Sequence, residues 1–546
     1  MSRYIPLQGV ARMEIRTLPL EHMGLVAGVF DQLEVAGIVD DRIPKLRNHN
    51  LEHSKVIKAM VLNALGYVGQ RLYLFSEFYE KLPIERLLGE GVKASDLNDD
   101  VLGRTLDAIS AYGPTELFND ISLNVMSHLD LGVQRLHADT TSFSVQGEYE
   151  GYDGQNAIEI TLGHSKDGRM DLKQFVLGLV TNQDGIPLFS RAYSGNASDK
   201  NTIIEAFMMI KKGLNLDDAS YYMADSAVYS EKNIQQLGTE MLWITRVPAT
   251  ITESESLQNR EVDLVDCLDS RYKYFSTTSN YGGILQKWVL FQSQPMQERK
   301  EKTFEKQLVK EKTQAERSLA KLKRREFACE ADARKDAELW LSEHHFWRFK
   351  DLSVKLVTRR NGKMRGRPRN GEKLLEVHQI EAEIEINAEK VAEAKSKLGR
   401  FILATNDLNL DPNTILSYYK GQQAVERGFR FLKDKSFRVA EVYLKKPQRI
   451  EALAMIMVLT LMIYSVAEWM LRKRMRETGE TIPNQLKKPT QKPTLKWIVF
   501  LFMGVTEVTV WTNGEMHQQI ANLNENLVKI IRLLGPACEK YYGLEC

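Results

Sequence analysis

The order of predicted strands and helices between Gln134 and Val247 is the feature that most restricts how this chain can fold. Alternating residues rich in Thr, Phe and Val predict a strand at Arg135–Val145, and turn residues divide the sequence after it. The further strands are Ala157–His164, Gln174–Val180, Ser220–Met223 and Met241–Val247, and the turn Asn182–Gly185 leads from the second of these into Ile186–Arg191. The predicted helices are Asn201–Lys212 and Glu231–Leu237. The order β-β-β-α-β-α-β predicts an α/β fold.

Two aspartates fall at informative places in this order. Asp139 lies in the middle of the first strand, in Leu-His-Ala-Asp-Thr-Thr, and Asp225 follows Ser220–Met223, in Tyr-Tyr-Met-Ala-Asp-Ser-Ala. A ribonuclease H-like core has the same order, with one acidic residue in the middle of its first strand and a second at the end of its fourth. The sequence therefore predicts a ribonuclease H-like catalytic core.

A third carboxylate, Glu426, comes 201 residues after Asp225. A compact core would need far fewer residues between them, so we expect an inserted α+β domain at residues 249–400. Within it, Arg271–Phe291 predicts a β-hairpin around Asn280–Gly283, and Gln297–His345 predicts long, highly charged helices. Asn387 is a candidate helix cap. Apolar residues Phe401–Thr405 then predict a return to the core.

Helical spacing of apolar residues from about 20 to 130 predicts an N-terminal all-α domain, for DNA-end binding or dimerisation. The predicted domains are 1–130, 131–248 (first part of the core), 249–400 (insertion), 401–470 (second part of the core) and a C-terminal helical region at 471–546. Ala452–Ala467 has 16 residues without a charge. A spanning helix needs roughly 20, so we interpret this segment as a buried core helix and expect no membrane contact.

The sequence around Glu426 predicts a helix from Leu416 to Lys433 with a polar face. With Tyr419 at the origin, Gln422 projects near ~300°, Glu426 near ~340° and Lys433 near ~320°, within a sector of about 60°. Three carboxylates together can hold two divalent ions, and two ions about 3.5–4 Å apart can clamp the attacking and leaving oxygens of a phosphodiester. The lysine could hold the phosphate, and the tyrosine could pack on a sugar or base.

The net charge of +2 does not by itself indicate a nucleic-acid partner, so the case for DNA depends on local clusters. Arg427 and Arg430 flank Glu426, and Lys433, Lys435 and Arg438 follow. Arg365-Gly-Arg-Pro-Arg369, with Arg365 and Arg367, is similar to an AT-hook, whose arginines enter the narrow minor groove of A·T tracts. The four cysteines have no C-x-x-C spacing, which argues against a zinc site or a disulfide framework and fits a reducing cytoplasm.

The spacing of Tyr419, Gln422, Glu426 and Lys433 resembles the Tyr-x2-Arg-x3-Glu-x6-Lys pattern of DDE transposases from bacterial insertion sequences. The stretches His137–Thr141, Gly195–Asp199 and Gly399–Leu453 are similar to the same family. The resemblance runs over residues 130–470, and the N-terminal helical region also looks like this group's.

The resemblance implies two Mg²⁺ ions held by Asp139, Asp225 and Glu426, with Mn²⁺ as an expected substitute. It implies that Tyr419 and Lys433 contact the transferred DNA end. It also implies a homodimer on DNA that cuts the element's terminal inverted repeats and joins them to target DNA, in a prokaryotic cytoplasm near the nucleoid. Gln422 departs from the family's Arg, and a neutral amide cannot make the charged bidentate phosphate contact of Arg. Arg427 or Lys420 could compensate.

Two alternatives stay open at the level of sequence. One is a structure-specific ribonuclease H-like nuclease that cuts DNA without strand transfer. The other is a non-catalytic coiled-coil DNA-binding or scaffold protein, which would rest on the charged helices at Gln297–His345. The intact set of three carboxylates argues against the second.

Overall fold

The computed structural model describes residues 13–46, 49–65, 74–149, 157–213, 219–239, 241–360, 374–434, 444–512 and 515–544. The strands are β1 (Met13–Pro19), β2 (Arg135–Val145), β3 (Lys173–Asn182), β4 (Pro187–Tyr193), β5 (Tyr221–Ala224), β6 (Leu242–Val247), β7 (Val265–Asp266), β8 (Tyr272–Ser279), β9 (Gln286–Ser293), β10 (Trp347–Arg360), β11 (Leu374–Ile386), β12 (Arg400–Thr405), β13 (Ile482–Pro483), β14 (Pro489–Thr490), β15 (Thr506–Thr512) and β16 (Glu515–Ala521).

The helices are α1 (Met23–Gln32), α2 (Val35–Arg42), α3 (His53–Leu65), α4 (Phe75–Tyr79), α5 (Ile84–Leu88), α6 (Asp99–Tyr112), α7 (Pro114–Leu129), α8 (Asp199–Gly213), α9 (Glu231–Leu237), α10 (Thr252–Asn259), α11 (Gln294–Lys323), α12 (Glu330–Glu343), α13 (Ala388–Ser396), α14 (Pro412–Lys420), α15 (Gln423–Leu432), α16 (Pro447–Thr478), α17 (Leu495–Leu501), α18 (Glu525–Leu534) and α19 (Pro536–Tyr541). The fold is therefore mixed α/β, as predicted.

A nine-stranded mixed sheet organises the described part of the chain, with strand order β4-β3-β2-β5-β6-β12-β9-β8-β7. The β2–β5 and β5–β6 pairs are parallel and the other neighbours are antiparallel. From β2 to β6 the elements follow the predicted order, with α8 between β4 and β5 and α9 between β5 and β6. The parallel strands lie at the centre of the sheet, so their carboxyl ends meet at one edge.

One predicted strand, Ala157–His164, does not form. Its alternating sequence resembles a strand, but only Thr161 makes a bridge, to Gln174. Both backbone groups of Glu159 bond to the turn after β4: the Glu159 N–H donates to Ser194 Oγ at 2.9 Å, and the Gly195 N–H donates to the Glu159 carbonyl at 2.9 Å. The Ile158 N–H donates to Glu451 Oε1 of α16 at 2.8 Å. The third strand of the order is therefore β4, which the sequence places at Ile186–Arg191.

The residues predicted as an insertion contribute to two places. The hairpin β8–β9 extends the large sheet next to β12, which returns to the core as predicted. Helices α11 and α12 pack against the separate hairpin β10–β11 around a small core that includes Leu319, Trp340 and Ile380. Asn387 caps α13, because its side chain accepts from the Lys390 N–H at 3.2 Å.

The expectation of an all-helical N-terminal domain and a helical C-terminal region is incomplete. Strand β1 pairs with β15, and β15 pairs with β16, so the two ends of the chain share a three-stranded sheet. Helices α1 and α19 also pack closely, since a Cβ added at Gly28 would lie 2.6 Å from Cys538 Sγ. A partner almost 500 residues away leaves no trace in local periodicity, which is why β1 was missed.

Helix α16 contains the uncharged stretch Ala452–Ala467. Within the described residues it is the one helix long and apolar enough to cross a membrane, and 78% of its most apolar 18-residue window is buried inside the fold. It packs on α3, α6, α7 and α18 as well as on β4. Its apolar character therefore matches its position in the core.

Candidate active site

The parallel strands β2 and β5 bring together Asp139, in the middle of β2, and Asp225, which directly follows the last residue of β5. His137 and Met223 form the last parallel pair of these strands, and each aspartate follows its member of that pair by two residues. Neighbouring strands lie about 4.8 Å apart. The two acidic residues are therefore neighbours across strands, as the predicted order requires.

Asp139 is held by its own strand and by a nearby turn. Its Oδ1 accepts from the Thr140 N–H at 2.7 Å and lies 3.8 Å from Nζ of Lys166. The same ammonium donates to the Thr140 carbonyl at 2.6 Å. A fifth of the Asp139 side chain, 21%, stays exposed, so the carboxylate is accessible from solvent.

Asp225 begins a short 3-10 turn directly after β5. Its Oδ1 accepts from the Ala227 N–H at 2.9 Å, which fixes the carboxylate as the cap of that turn. Its backbone carbonyl accepts from the Thr245 hydroxyl of β6 at 2.9 Å. Two elements of the sheet therefore set the position of this acidic residue.

The helix predicted from Leu416 to Lys433 is wrong as one element. The chain forms α14 and α15, separated by Gly421 and Gln422. Helix α14 packs through Ile415 and Leu416 over the central strands, whereas α15 packs on β2 and β3.

The break changes which residues share a face. In α15 the residues Ala424, Val425, Gly428, Phe429 and Leu432 are buried at helical spacing, and Glu426, Arg427 and Arg430 are exposed on the other side. Gln422 does not join that exposed face: only 7% of it is exposed. Its amide Nε2 donates to the Ala138 carbonyl at 2.8 Å.

The pKa of the Tyr419 phenol is affected by all three acidic residues. Burial raises the pKa of Tyr419 to about 12, and the negative charges of Asp225, Glu426 and Asp139 act in the same direction, while Arg246 opposes them. The charges of all three acidic residues therefore act on this one phenol. At neutral pH the phenol is a protonated hydrogen-bond donor.

The described residues contain no set of three His, Cys, Asp or Glu side chains close enough to hold a metal ion as they stand. The three proposed ligands are nevertheless all carboxylates, and their oxygens are the ligands that Mg²⁺ prefers. The three acidic residues therefore fit such an ion in their chemistry. A closer approach of the three carboxylates would complete the set.

The lysine of the predicted motif, Lys433, and Lys420, which could compensate for Gln422, are both in ion pairs. Lys433 Nζ lies 2.9 and 2.8 Å from the two carboxylate oxygens of Asp167. Lys420 donates to Asp269 at 2.9 Å and lies over the Tyr272 ring, 3.8 Å from its centroid. Lys420 is thus engaged away from the position of Gln422. The AT-hook-like Arg365 and Arg367 lie outside the described residues.

Sequence reasoning missed several neighbours of the carboxylates. Arg246 lies near Tyr419 and over the Phe401 ring, and Lys166 and Asp167 belong to the turn before β3. Lys166-Asp167-Gly168 carried only a turn signal. His137 is 1% exposed, and burial lowers its pKa to about 4, so the imidazole is neutral.

Comparisons with known proteins were made for the whole chain. A family model described as a transposase DDE domain matches residues 135–463, more than half of the chain. A model of a domain of unknown function, DUF4277, matches residues 14–123. No curated protein matches the sequence. The first match covers β2 to α16 and includes Asp139, Asp225 and Glu426.

Proposed function

Because the chain belongs to the transposase DDE family, we propose that it cuts DNA at the ends of its own element and joins those ends to target DNA. The family makes the protein a transposase, an enzyme that acts on DNA, and implies a ribonuclease H-like fold and a need for divalent metal ions. The expectation that the chain is a transposase is confirmed by this match, whereas the ribonuclease H-like fold and the metal ions are what the family implies. The identity of the catalytic residues and the steps of the reaction are the proposal.

One observation carries the proposal: the sheet places Asp139 and Asp225 on neighbouring parallel strands, and α15, which carries Glu426, packs on the strand of Asp139. Neighbouring like charges repel each other unless a partner neutralises them, so such a group favours a cation. We infer that Asp139, Asp225 and Glu426 would hold two divalent ions, with Mg²⁺ the expected ion and Mn²⁺ a substitute. Bound there, the ions would activate an attacking oxygen and neutralise charge on the phosphate.

The chain's own residues would position the DNA. Arg427 and Arg430 are exposed on the same side of α15 as Glu426, where they could contact phosphates next to the cleaved bond. Tyr419 keeps its proton at neutral pH, so its hydroxyl could donate to a phosphate oxygen. Once the ion pair between Lys433 and Asp167 is broken, Lys433 would contact the transferred DNA end.

The partners that follow are DNA and a second copy of the chain. The terminal inverted repeats of the element would be the specific substrate, and target DNA the second. A homodimer on DNA would hold the two ends together, and the N-terminal segment, which shares a sheet with the C-terminal one, is a candidate for end binding or dimerisation. We place this activity in the prokaryotic cytoplasm, near the nucleoid.

The test is to incubate the protein with its own flanking DNA, Mg²⁺ and a target plasmid. We expect nicks at the boundary of the inverted repeats, followed by products in which the element end is covalently joined to the plasmid. Nicks without joined products would instead support a structure-specific nuclease. The absence of both would contradict the proposal.

A further inference from the structure

We propose that Gln422 is a positioning residue, which with Gly421 and His137 forms a joint that fixes Tyr419 and Glu426 relative to Asp139. The inference deepens the proposed function and rests on it, because it concerns the same three carboxylates. It gives Gln422 a different task from the DNA contact that its place in the motif predicts.

The hydrogen bond of Gln422 ties the helix break to the strand that carries Asp139. The amide donates to the carbonyl of Ala138, the residue directly before Asp139, at 2.8 Å in a buried environment. A buried acceptor that loses its donor is costly, so this contact defines where the break lies on β2. With 7% exposure and its donor already engaged, the side chain is poorly placed to bind a phosphate.

Gly421 provides the close approach on which this bond depends. A Cβ at this position would lie 2.6 Å from both Cε1 and Nε2 of His137. Gly421 has an ordinary helical φ of −60°, so space and not backbone conformation requires the glycine. His137 and Asp139 are two residues apart on β2 and therefore point to the same face of the sheet. The chain crosses this face directly over the imidazole.

The joint controls residues on both sides of it. Tyr419 lies in the last turn of α14, two residues before Gly421, and Glu426 lies in the first turn of α15, four residues after Gln422. A rotation at the break would move both groups relative to Asp139. Catalytic groups must be held within about 0.5 Å of their working positions, so a small displacement at the joint would be felt at the carboxylates.

The first experiment compares Gln422→Met with Gln174→Met. Gln174 is an equally buried glutamine whose amide donates to the Gly195 carbonyl at 2.7 Å, on β3. Mn²⁺ affinity is measured by electron paramagnetic resonance on the complex with DNA ends, together with end affinity and melting temperature. We expect Gln422→Met to weaken Mn²⁺ binding about 10- to 100-fold, as loss of an outer partner of a metal ligand does, and to leave end affinity unchanged. Gln174→Met should lower the melting temperature similarly without weakening Mn²⁺ binding.

A variant of the metal site separates the two proposals. If Asp139→Asn weakens Mn²⁺ binding and Gln422→Met does not, the joint is refuted and the proposed function stands. If Asp139→Asn leaves Mn²⁺ binding intact, the proposed function itself fails. Weaker end binding by Gln422→Met with normal Mn²⁺ affinity would show that Gln422 contacts DNA, which also overturns the joint.

A double-mutant cycle tests the contact under Gly421. We expect Gly421→Ala to weaken Mn²⁺ binding at least about tenfold, and the added His137→Ala to restore part of it by removing the ring that the new methyl group meets. Additive losses in the double variant would contradict the joint. If Gly421→Ala does not fold, the comparison of Gln422→Met with Gln174→Met decides alone.

Discussion

The ammonium group of Lys433 lies within 2.9 Å of both carboxylate oxygens of Asp167, in the turn that precedes β3. The preceding residue of that turn, Lys166, lies 3.8 Å from the carboxylate of Asp139. One short turn therefore places a carboxylate next to Lys433, a proposed DNA-binding residue, and an ammonium group next to Asp139, a proposed metal ligand. DNA would have to displace Asp167 from Lys433, and a metal ion would have to displace Lys166 from Asp139.

Replacing Asp167 should therefore tighten DNA binding. In Asp167→Asn, Lys433 loses its ion pair and becomes available to phosphate, so we expect affinity for element ends to rise about two- to fivefold at low salt, the value of a partly exposed ion pair. Asp171→Asn is the matched control, because this substitution removes the same charge from the same segment. Asp171 also forms an ion pair, with Arg169 at 2.8 Å. Equal gains in both variants, measured by fluorescence anisotropy, would indicate a general charge effect and contradict this account.

Removing the hydroxyl of Thr245 should disturb Asp225. Thr245→Val keeps the shape of the side chain but removes the donor to the Asp225 carbonyl, 2.9 Å away. We expect end cleavage to slow severalfold while stability falls by about 1 kcal/mol, the net contribution of one hydrogen bond. Thr460→Val removes a comparable buried bond, to the Ile456 carbonyl at 2.8 Å in α16, and should cost stability without slowing cleavage. Equal cleavage rates for the two variants would argue against a role of Thr245 at the site.

Acid should destabilise the protein through the buried imidazole of His22. Burial lowers the pKa of His22 from 6.5 to about 4, even though its Nε2 bonds to the Leu65 carbonyl. Below pH 6.5 the unfolded chain takes up a proton at His22 that the folded chain refuses until about pH 4, so stability falls as the pH drops through this window. The loss is about 1.4 kcal/mol per pH unit for one such group.

Melting temperatures at pH 7.5 and pH 5 measure this effect. The variant His22→Gln cannot titrate at position 22, so its melting temperature should fall less between the two pH values than that of the wild type. The same fall in both proteins would show that His22 does not contribute to acid sensitivity.

Local signals in the sequence were sufficient for elements that depend on neighbouring residues. The hairpin β8–β9, the Asn387 cap of α13 and the strand β12 all formed as predicted, because turn residues, capping side chains and apolar runs act over a few positions. The positions of Asp139 and Asp225 also followed from the order of elements. Parallel strands align their carboxyl ends whatever the intervening sequence is.

Features that depend on distant packing could not be predicted. Helical periodicity from Leu416 to Lys433 gives no sign of the break at Gly421, where the chain passes over the imidazole of His137, more than 280 residues earlier in the sequence. The pairing of Lys433 with Asp167 and the strand β1 have the same origin. The predicted common face of Tyr419, Gln422, Glu426 and Lys433 does not form on one helix, because Tyr419 lies on α14 and Glu426 on α15, and Gln422 is buried between these two helices.

The central claim, that Asp139, Asp225 and Glu426 form one metal-dependent catalytic site, is tested most directly by cleavage of the element ends. Asp139→Asn, Asp225→Asn and Glu426→Gln would each be incubated with end DNA and Mg²⁺, with end affinity measured in parallel. We predict that each variant binds ends like the wild type and cleaves them more than about 100-fold more slowly, beyond the loss caused by an outer partner of a ligand. Cleavage at the wild-type rate by any of the three would contradict the account.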